Sequence, residues 1–315
     1  MRGNLLKPSL LRGVKCTVDF NIMKNIPLVS VCIPAFNAAR YIEETIISII
    51  NQDYKKLEII VSDNCSTDNT REVVLTLADE FKNISIINNV INVGVANNWN
   101  KVIQAAQGEF VLLVSADDLL EESFVTRAVD IFNNYPEVDI VSFYSLILKD
   151  GCLSPRKTVF GLKVKPLPRG IYRNYLNLLL RKNPFSINFS LFSRNALYKL
   201  SSNKGMFVKN FLNCDYDLWF RTVENSLVIY YDCEPLGRYR LHSSNLSRNK
   251  GKLLRQSFLI LSSRKSYLRK NCFFSFKYCL GRLIVNYIYC VYFTRSISRD
   301  KRLFKVLVGN LLFKL

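Results

Sequence analysis

The feature that most constrains this chain is an alternation of short apolar runs with stretches of helical spacing between residues 28 and 143. The runs at 28–33, 57–61, 84–87, 109–114 and 140–143 are rich in Val, Ile and Leu and suit buried strands. After the first run, Ile42, Ile46, Ile49 and Ile50 recur at i, i+4, i+7 and i+8, which is one face of a helix. Further helical stretches are expected over 68–81, 95–106 and 122–134. The residues Asp68 to Glu72 read as a capped helix start, with acidic charge near the positive helix end. Such an alternation predicts an α/β fold of the Rossmann-like kind: a mostly parallel sheet with helices on both faces.

Polar residues fall at one edge of that expected sheet. Pro34, Asn37, Asp63, Asn64, Ser66, Asn92, Ser115, Asp117 and Asp118 all follow the C-terminal ends of successive runs. In open α/β sheets this edge is where ligands bind. The first strand–helix turn, Ile33-Pro34-Ala35-Phe36-Asn37, has no glycine, so the dinucleotide-binding G-x-G-x-x-G loop is absent, and no P-loop sequence occurs. The adjacent carboxylates Asp117 and Asp118 are costly to hold together unless a cation neutralises them. Hard oxygen ligands suit Mg²⁺ or Mn²⁺, ions that usually also bind substrate phosphates. The competing structural reading has Asp118 merely capping the helix that follows.

The second half is less regular. Residues 150–185 are rich in Lys, Arg, Pro and Gly and read as loops. Residues 186–248 hold short strand-like runs and a helix near 217–223. The tail, 251–315, carries fourteen basic residues and one acid among many Phe, Tyr, Leu and Ile. Its longest charge-free run, 283–294, has twelve residues, fewer than the about 20 needed to span a bilayer. A basic, aromatic helical tail suits interfacial attachment to an anionic membrane surface, or alternatively a helical cap on the domain.

The net charge of +19 asks for an anionic partner. The excess gathers at 150–182 and in the tail, whereas the strand edge is rich in Asp and Asn, so no nucleic acid is expected there. The nine cysteines are scattered without a CxxC pair, and the chain has one histidine. Free thiols in a reducing compartment are expected, and a Cys/His zinc site is not. Residues 1–26 contain no sustained apolar stretch, so no signal peptide is expected, and Met23 reads as a natural start for the fold.

The segments Val29 to Asn37, Val61 to Asp68, Asn92-Val93-Gly94 and Ser115 to Asp118 together resemble the N-terminal signature of family 2 glycosyltransferases of GT-A fold. The resemblance is dense from Pro27 to Asn134, thinner to Ser247 and absent in the tail. It implies that Pro34, Phe36, Asn37, Asp63, Asn64, Asn92 and Asp117 bind the nucleotide, with a carboxylate at Asp63 suited to uracil. The family often has two acids where this chain has Asp63-Asn64, a glycine at Cys65 and an acid at Ser115. Metal binding would then fall to Asp118 and His242, with Mn²⁺ or Mg²⁺ as cofactor. Cys214-Asp215-Tyr216-Asp217-Leu218-Trp219 resembles the family's Glu-Asp-Tyr-Asp-Leu-Trp element, which implies Asp215 as catalytic base. Without the resemblance, Asp215 and Asp217 read equally well as first-turn acids of a helix. Tyr239-Arg240-Leu241-His242 matches a family Tyr-Arg-x-His element, with Arg240 on a donor phosphate.

The resulting expectation has three parts. Residues 1–26 form an N-terminal extension, 27–248 a GT-A domain with a nucleotide-sugar half (27–134) and an acceptor half (135–248), and 249–315 a membrane-associating helical tail. The implied function is metal-dependent, inverting, non-processive transfer of a sugar from a nucleotide-sugar donor, UDP-linked first, to a lipid-linked glycan in surface polysaccharide biosynthesis. The implied location is cytoplasmic, peripheral to the inner face of the plasma membrane. The alternative is a nucleic-acid- or glycan-binding protein without catalysis.

Overall fold

The computed structural model describes residues 26–155, 165–181, 183–202, 205–207, 212–245 and 249–293. The expected N-terminal extension, apart from Ile26, and the end of the tail beyond 293 lie outside the described residues.

The apolar runs form strands. β1 (Val29–Ala35), β2 (Leu57–Asp63), β3 (Ile84–Asn88) and β4 (Phe110–Leu113) pair in parallel in the order β3-β2-β1-β4. The connecting segments form α1 (Ile42–Ile50), α2 (Thr70–Glu80) and α3 (Val95–Ala105). Period-two alternation sends successive side chains to opposite faces. Val29, Val31, Ile33 and Ala35 of β1 join one apolar core, and Cys32 joins the other.

The second half of the sheet departs from a simple parallel order. β4 is followed by β5 (Leu119–Leu120), α4 (Phe124–Asn134) and β6 (Ile140–Lys149), with the short β7 (Cys152–Ser154) folded back on β6. β8 (Gly170–Tyr172), α5 (Leu176–Arg181), β9 (Ser190–Ser193), α6 (Arg194–Leu200), α7 (Cys214–Glu224) and β10 (Ile229–Arg240) complete the domain. β9 inserts antiparallel between β4 and β6, while β10 runs parallel to β6 and antiparallel to β5 and β8. The sheet is therefore mixed, although its longest ladders are parallel. The β6–β10 ladder shifts register around Pro235 and Gly237. Proline has no N–H to give a ladder, which makes a bulge the natural outcome there. Gly237 is required by contact: a Cβ there would lie 2.2 Å from Cδ1 of the buried Phe189 ring.

Helices α1, α2 and α4 cover one face through residues such as Ile42, Ile46, Val74 and Phe124. The opposite face is covered by α3, α5, α6 and α7, and also by α8 (Lys250–Ser263) and α9 (Lys265–Phe293). Phe258, Leu261, Leu268 and Phe276 are each less than a twentieth exposed and belong to the same core as Trp219 of α7. The start of the tail thus packs as a cap on the α/β domain. No helix among the described residues is long and apolar enough to cross a membrane. Cys32, Cys65, Cys152, Cys214, Cys233, Cys272 and Cys279 are unbridged.

Candidate functional site

The C-terminal ends of β1, β2 and β3 are tied together by amides and carboxylates. Asn37 adopts φ +50°, a left-handed conformation that Asn tolerates better than most residues. Its N–H donates to Ser66 Oγ (2.9 Å), and its Oδ1 accepts from the Thr67 N–H (2.8 Å). The Ser66 hydroxyl donates to the Asp63 carboxylate, and the Ser66 N–H reaches the other oxygen at 3.3 Å. Cys65, between them, holds φ +63°, a conformation cheaper for glycine. Asp63 and Asn64 are both buried. Asn64 Nδ2 donates to Asn92 Oδ1 (3.0 Å), and Asn64 Oδ1 accepts from the Val93 N–H (2.9 Å). Asn92 Oδ1 also accepts from the Gly94 N–H at the start of α3 (3.0 Å). Pro34 lies opposite Ser62 in the β1–β2 ladder, and Phe36 stands 48% exposed at the rim, free to offer a ring face to a ligand.

The loop behind this net is held by Asp68, which accepts from the Ala39 N–H (3.1 Å) and from Thr70. Burial pushes this carboxyl up. The hydrogen bonds from the Thr70 hydroxyl and from backbone N–H groups outweigh it, so Asp68 titrates below its ordinary 3.8.

A second cluster joins the end of β4 to the end of β10. Asp118 is fully buried, with Oδ2 accepting from Asn188 Nδ2 (2.6 Å) and Oδ1 from the Arg240 N–H (2.9 Å). It does not cap α4, whose N-cap is Ser123 and which begins only after β5. Asp117, its neighbour, is partly exposed. Its Oδ2 lies 2.7 Å from His242 Nε2 and accepts from Asn245 Nδ2 (3.1 Å). The His242 ring is set by Ser244 Oγ at Nδ1 (2.8 Å), by the His242 N–H donating to Asn245 Oδ1 (2.6 Å), and by stacking on Tyr41 at 4.7 Å. Arg240 donates through Nε to the Asp117 carbonyl (2.8 Å) and through Nη2 to Glu44 (2.6 Å), and it lies 5.1 Å from the Tyr41 ring centroid.

Asp215 stands partly buried in the first turn of α7. The other acid of that turn, Asp217, is bonded to Arg221 (3.0 Å) and to Arg264 (2.8 Å). Helix α8 braces the same end: the Leu212 N–H donates to Gln256 Oε1 (2.7 Å) and Asn213 Nδ2 to Ser257 Oγ (2.8 Å). The Cys214 thiol beside Asp215 is pushed up, first by burial and then by that carboxylate's charge.

The structure therefore brings Asp117, Asp118, Arg240 and His242 together, and separately joins Asn37, Asp63, Asn64 and Asn92; Asp215 comes from a third element. Four residues of the site were missed by sequence reasoning: Tyr41, Glu44, Asn188 and Asn245. Tyr41 and Glu44 are three apart at the start of α1, spacing that places both on one helical face. Asn245 is three residues after His242, a common reach for a side chain bonding back to its own loop. Asn188 had no such signal. Among the described residues no group of three or more His, Cys, Asp or Glu side chains could hold a metal.

The family model described as Glycosyl transferase family 2 matches residues 30–201. An uncharacterized glycosyltransferase of Haemophilus influenzae is 30% identical over 229 residues, covering 71% of this chain and 69% of that protein. The Escherichia coli enzyme WfgD, named as a UDP-Glc:alpha-D-GlcNAc-diphosphoundecaprenol beta-1,3-glucosyltransferase, is 27% identical over 241 residues, 74% of this chain and 85% of that one. Among solved structures, the mannosyltransferase PcManGT from Pyrobaculum calidifontis, in complex with GDP-Man and Mn2+, superposes with a TM-score of 0.60. It shares 18% identity and covers 92% of this chain and 89% of its own, which shows a common fold.

Proposed function

The chain belongs to glycosyl transferase family 2, and from that premise we propose that it moves a sugar, with inversion, from a UDP-sugar to a hydroxyl of a lipid-linked glycan. That it is a glycosyltransferase follows from the membership itself and from its relatives. Donor, metal and acceptor are the further step.

The observation that carries the reading is the meeting of Asp117 and His242 across the sheet edge, at 2.7 Å. A carboxylate and an imidazole converging from two strand ends form a donor set that Mn²⁺ or Mg²⁺ accepts. Two protein ligands suffice where a donor diphosphate and water fill the remaining positions, so the residues present fit such an ion. Bound there, it would offset negative charge on the departing diphosphate. Asp117, rather than Asp118, is the acid we assign to the metal, because both oxygens of Asp118 already accept hydrogen bonds in the interior. Arg240 likewise acts as a strut rather than a phosphate ligand, since its guanidinium is committed to Glu44 and the Asp117 carbonyl.

The net at the ends of β1 to β3 would receive the nucleoside. Phe36 and Pro34 offer apolar surface to the base, and Asp63 with Asn64, Asn37 and Asn92 shapes the polar wall. Asp215 is the base: it takes the acceptor proton as that oxygen attacks the anomeric carbon, and the nucleoside diphosphate leaves with the bonding electrons. One displacement of this kind inverts the carbon. In this reading residues 27–134 bind donor and 135–248 bind acceptor.

A lipid-linked acceptor is supported by the activity for which WfgD is named and by the basic, aromatic tail. It would put the enzyme at the inner face of the plasma membrane, in surface polysaccharide assembly. The test is a nucleotide-sugar panel with Mn²⁺ or Mg²⁺, read by thermal shift and donor hydrolysis, on the wild type and Asp215→Asn. The variant should keep the UDP-induced thermal shift and lose about 100-fold or more of turnover. Near-normal turnover would refute the assignment of the base.

A further inference from the structure

We propose that the kink of α9 is a membrane-docking wedge, in which Phe273 and Phe274 enter the interfacial layer of an anionic lipid bilayer. Helix α9 departs from helical geometry at Cys272, with φ −161° and ψ 49°. The two residues that follow turn outward: Phe273 is 38% exposed and Phe274 85%. Immediately afterwards the chain returns inward, and Phe276 joins the core. The two exposed rings touch edge to face, 5.6 Å apart, and the Lys277 ammonium lies 4.4 Å from the Phe273 ring centroid. Lys270, at the end of the preceding turn, is exposed.

An adjacent pair of phenylalanines projecting from a basic surface is unlike the scattered single apolar residues of an ordinary exterior. Over 250–293 the sequence has nine Lys and Arg and no Asp or Glu. That charge selects the partner. A second copy would set one basic surface against another, whereas an anionic headgroup layer neutralises it. The pair also projects rather than lining a groove, which suits a fluid interface more than a shaped protein pocket. Aromatic rings would settle at the headgroup–acyl boundary with Lys270 and Lys277 among the phosphates, in the manner of interfacial helices. The inference deepens the proposed function, because a lipid-linked acceptor would be met at such a surface.

The experiment is flotation of the full chain with phosphatidylcholine vesicles, with and without phosphatidylglycerol. It uses the wild type, Phe273→Ser/Phe274→Ser and Lys270→Glu/Lys277→Glu. The wild type should float only with phosphatidylglycerol, and each double variant should lose at least about tenfold in vesicle affinity. Both variants should retain the wild-type melting temperature and UDP-induced thermal shift. Flotation requires no turnover, so it fails or succeeds independently of the enzyme assignment. The proposal is overturned if the wild type ignores anionic vesicles, or if the serine variant floats as the wild type does. It is equally overturned if the serine substitutions change only the oligomeric state seen by light scattering, which would make the patch a contact between copies.

Discussion

His242 Nε2 lies 2.7 Å from Asp117 Oδ2, although 125 residues separate them in the chain. The contact joins the end of β4 to the segment after β10, and so closes the first half of the domain against the second. Tyr41, the N-cap of α1, and Glu44 within it brace the same junction through the His242 ring and the Arg240 guanidinium. The site is assembled by the sheet rather than by any single loop, and its acids divide into an outward and an inward group.

That division separates two neighbouring substitutions. Asp118→Ala would leave the Asn188 amide and the Arg240 N–H without their acceptor in the interior. It should cost about 1–3 kcal/mol of stability in denaturant unfolding. Asp117→Asn should stay within about 0.5 kcal/mol of wild type in the same measurement, as expected of a partly exposed position. An unchanged stability for Asp118→Ala would contradict the inward role.

The strut reading of Arg240 makes a coupling prediction. Arg240→Lys and Glu44→Gln should each weaken metal-dependent UDP binding, and the double variant should be no weaker than Arg240→Lys alone. Were Arg240 a direct phosphate ligand, Glu44→Gln would leave binding untouched. Titration calorimetry on the four proteins distinguishes the two.

Gly237→Ala tests the packing beneath the site. The new methyl would fall 2.2 Å from Phe189 Cδ1, and the ring is fully buried. Overpacking of this kind costs about 1–3 kcal/mol. Thermal unfolding should show the loss, and Phe189→Leu in the same chain should recover part of it.

Asp68 gives the account its pH dependence. Its folded pKa lies below 3.8, so its contribution is complete above that value and disappears as pH falls through the lowered one. Melting curves of wild type and Asp68→Asn should therefore differ most at neutral pH and converge in acid. A difference that grows on acidification would have the wrong sign.

Much of this site was legible because its strands are short, apolar and separated by helices, which fixes where their C-terminal ends must gather. The antiparallel β9 was not: the four residues Ser190–Ser193 are too few to show a period, and nothing local specifies their neighbours. The pairing of Asp117 with Asp118 in the chain suggests a shared ligand. The turn after β4, in which the Asp118 N–H donates to the Ser115 carbonyl, instead accompanies one buried and one accessible carboxylate. In the tail, basic and aromatic composition pointed outward, while Phe258, Leu261, Leu268 and Phe276 face the core. Composition averaged over the segment blends those two faces.

The central claim, that Asp117 and His242 hold a divalent ion carried with the donor diphosphate, is tested most directly by titrating UDP with and without Mn²⁺. Wild type should bind UDP at least about tenfold more tightly with the ion, and Asp117→Asn should lose that gain while keeping the ion-free affinity. Equal UDP affinity with and without Mn²⁺, unaltered in Asp117→Asn, would contradict it.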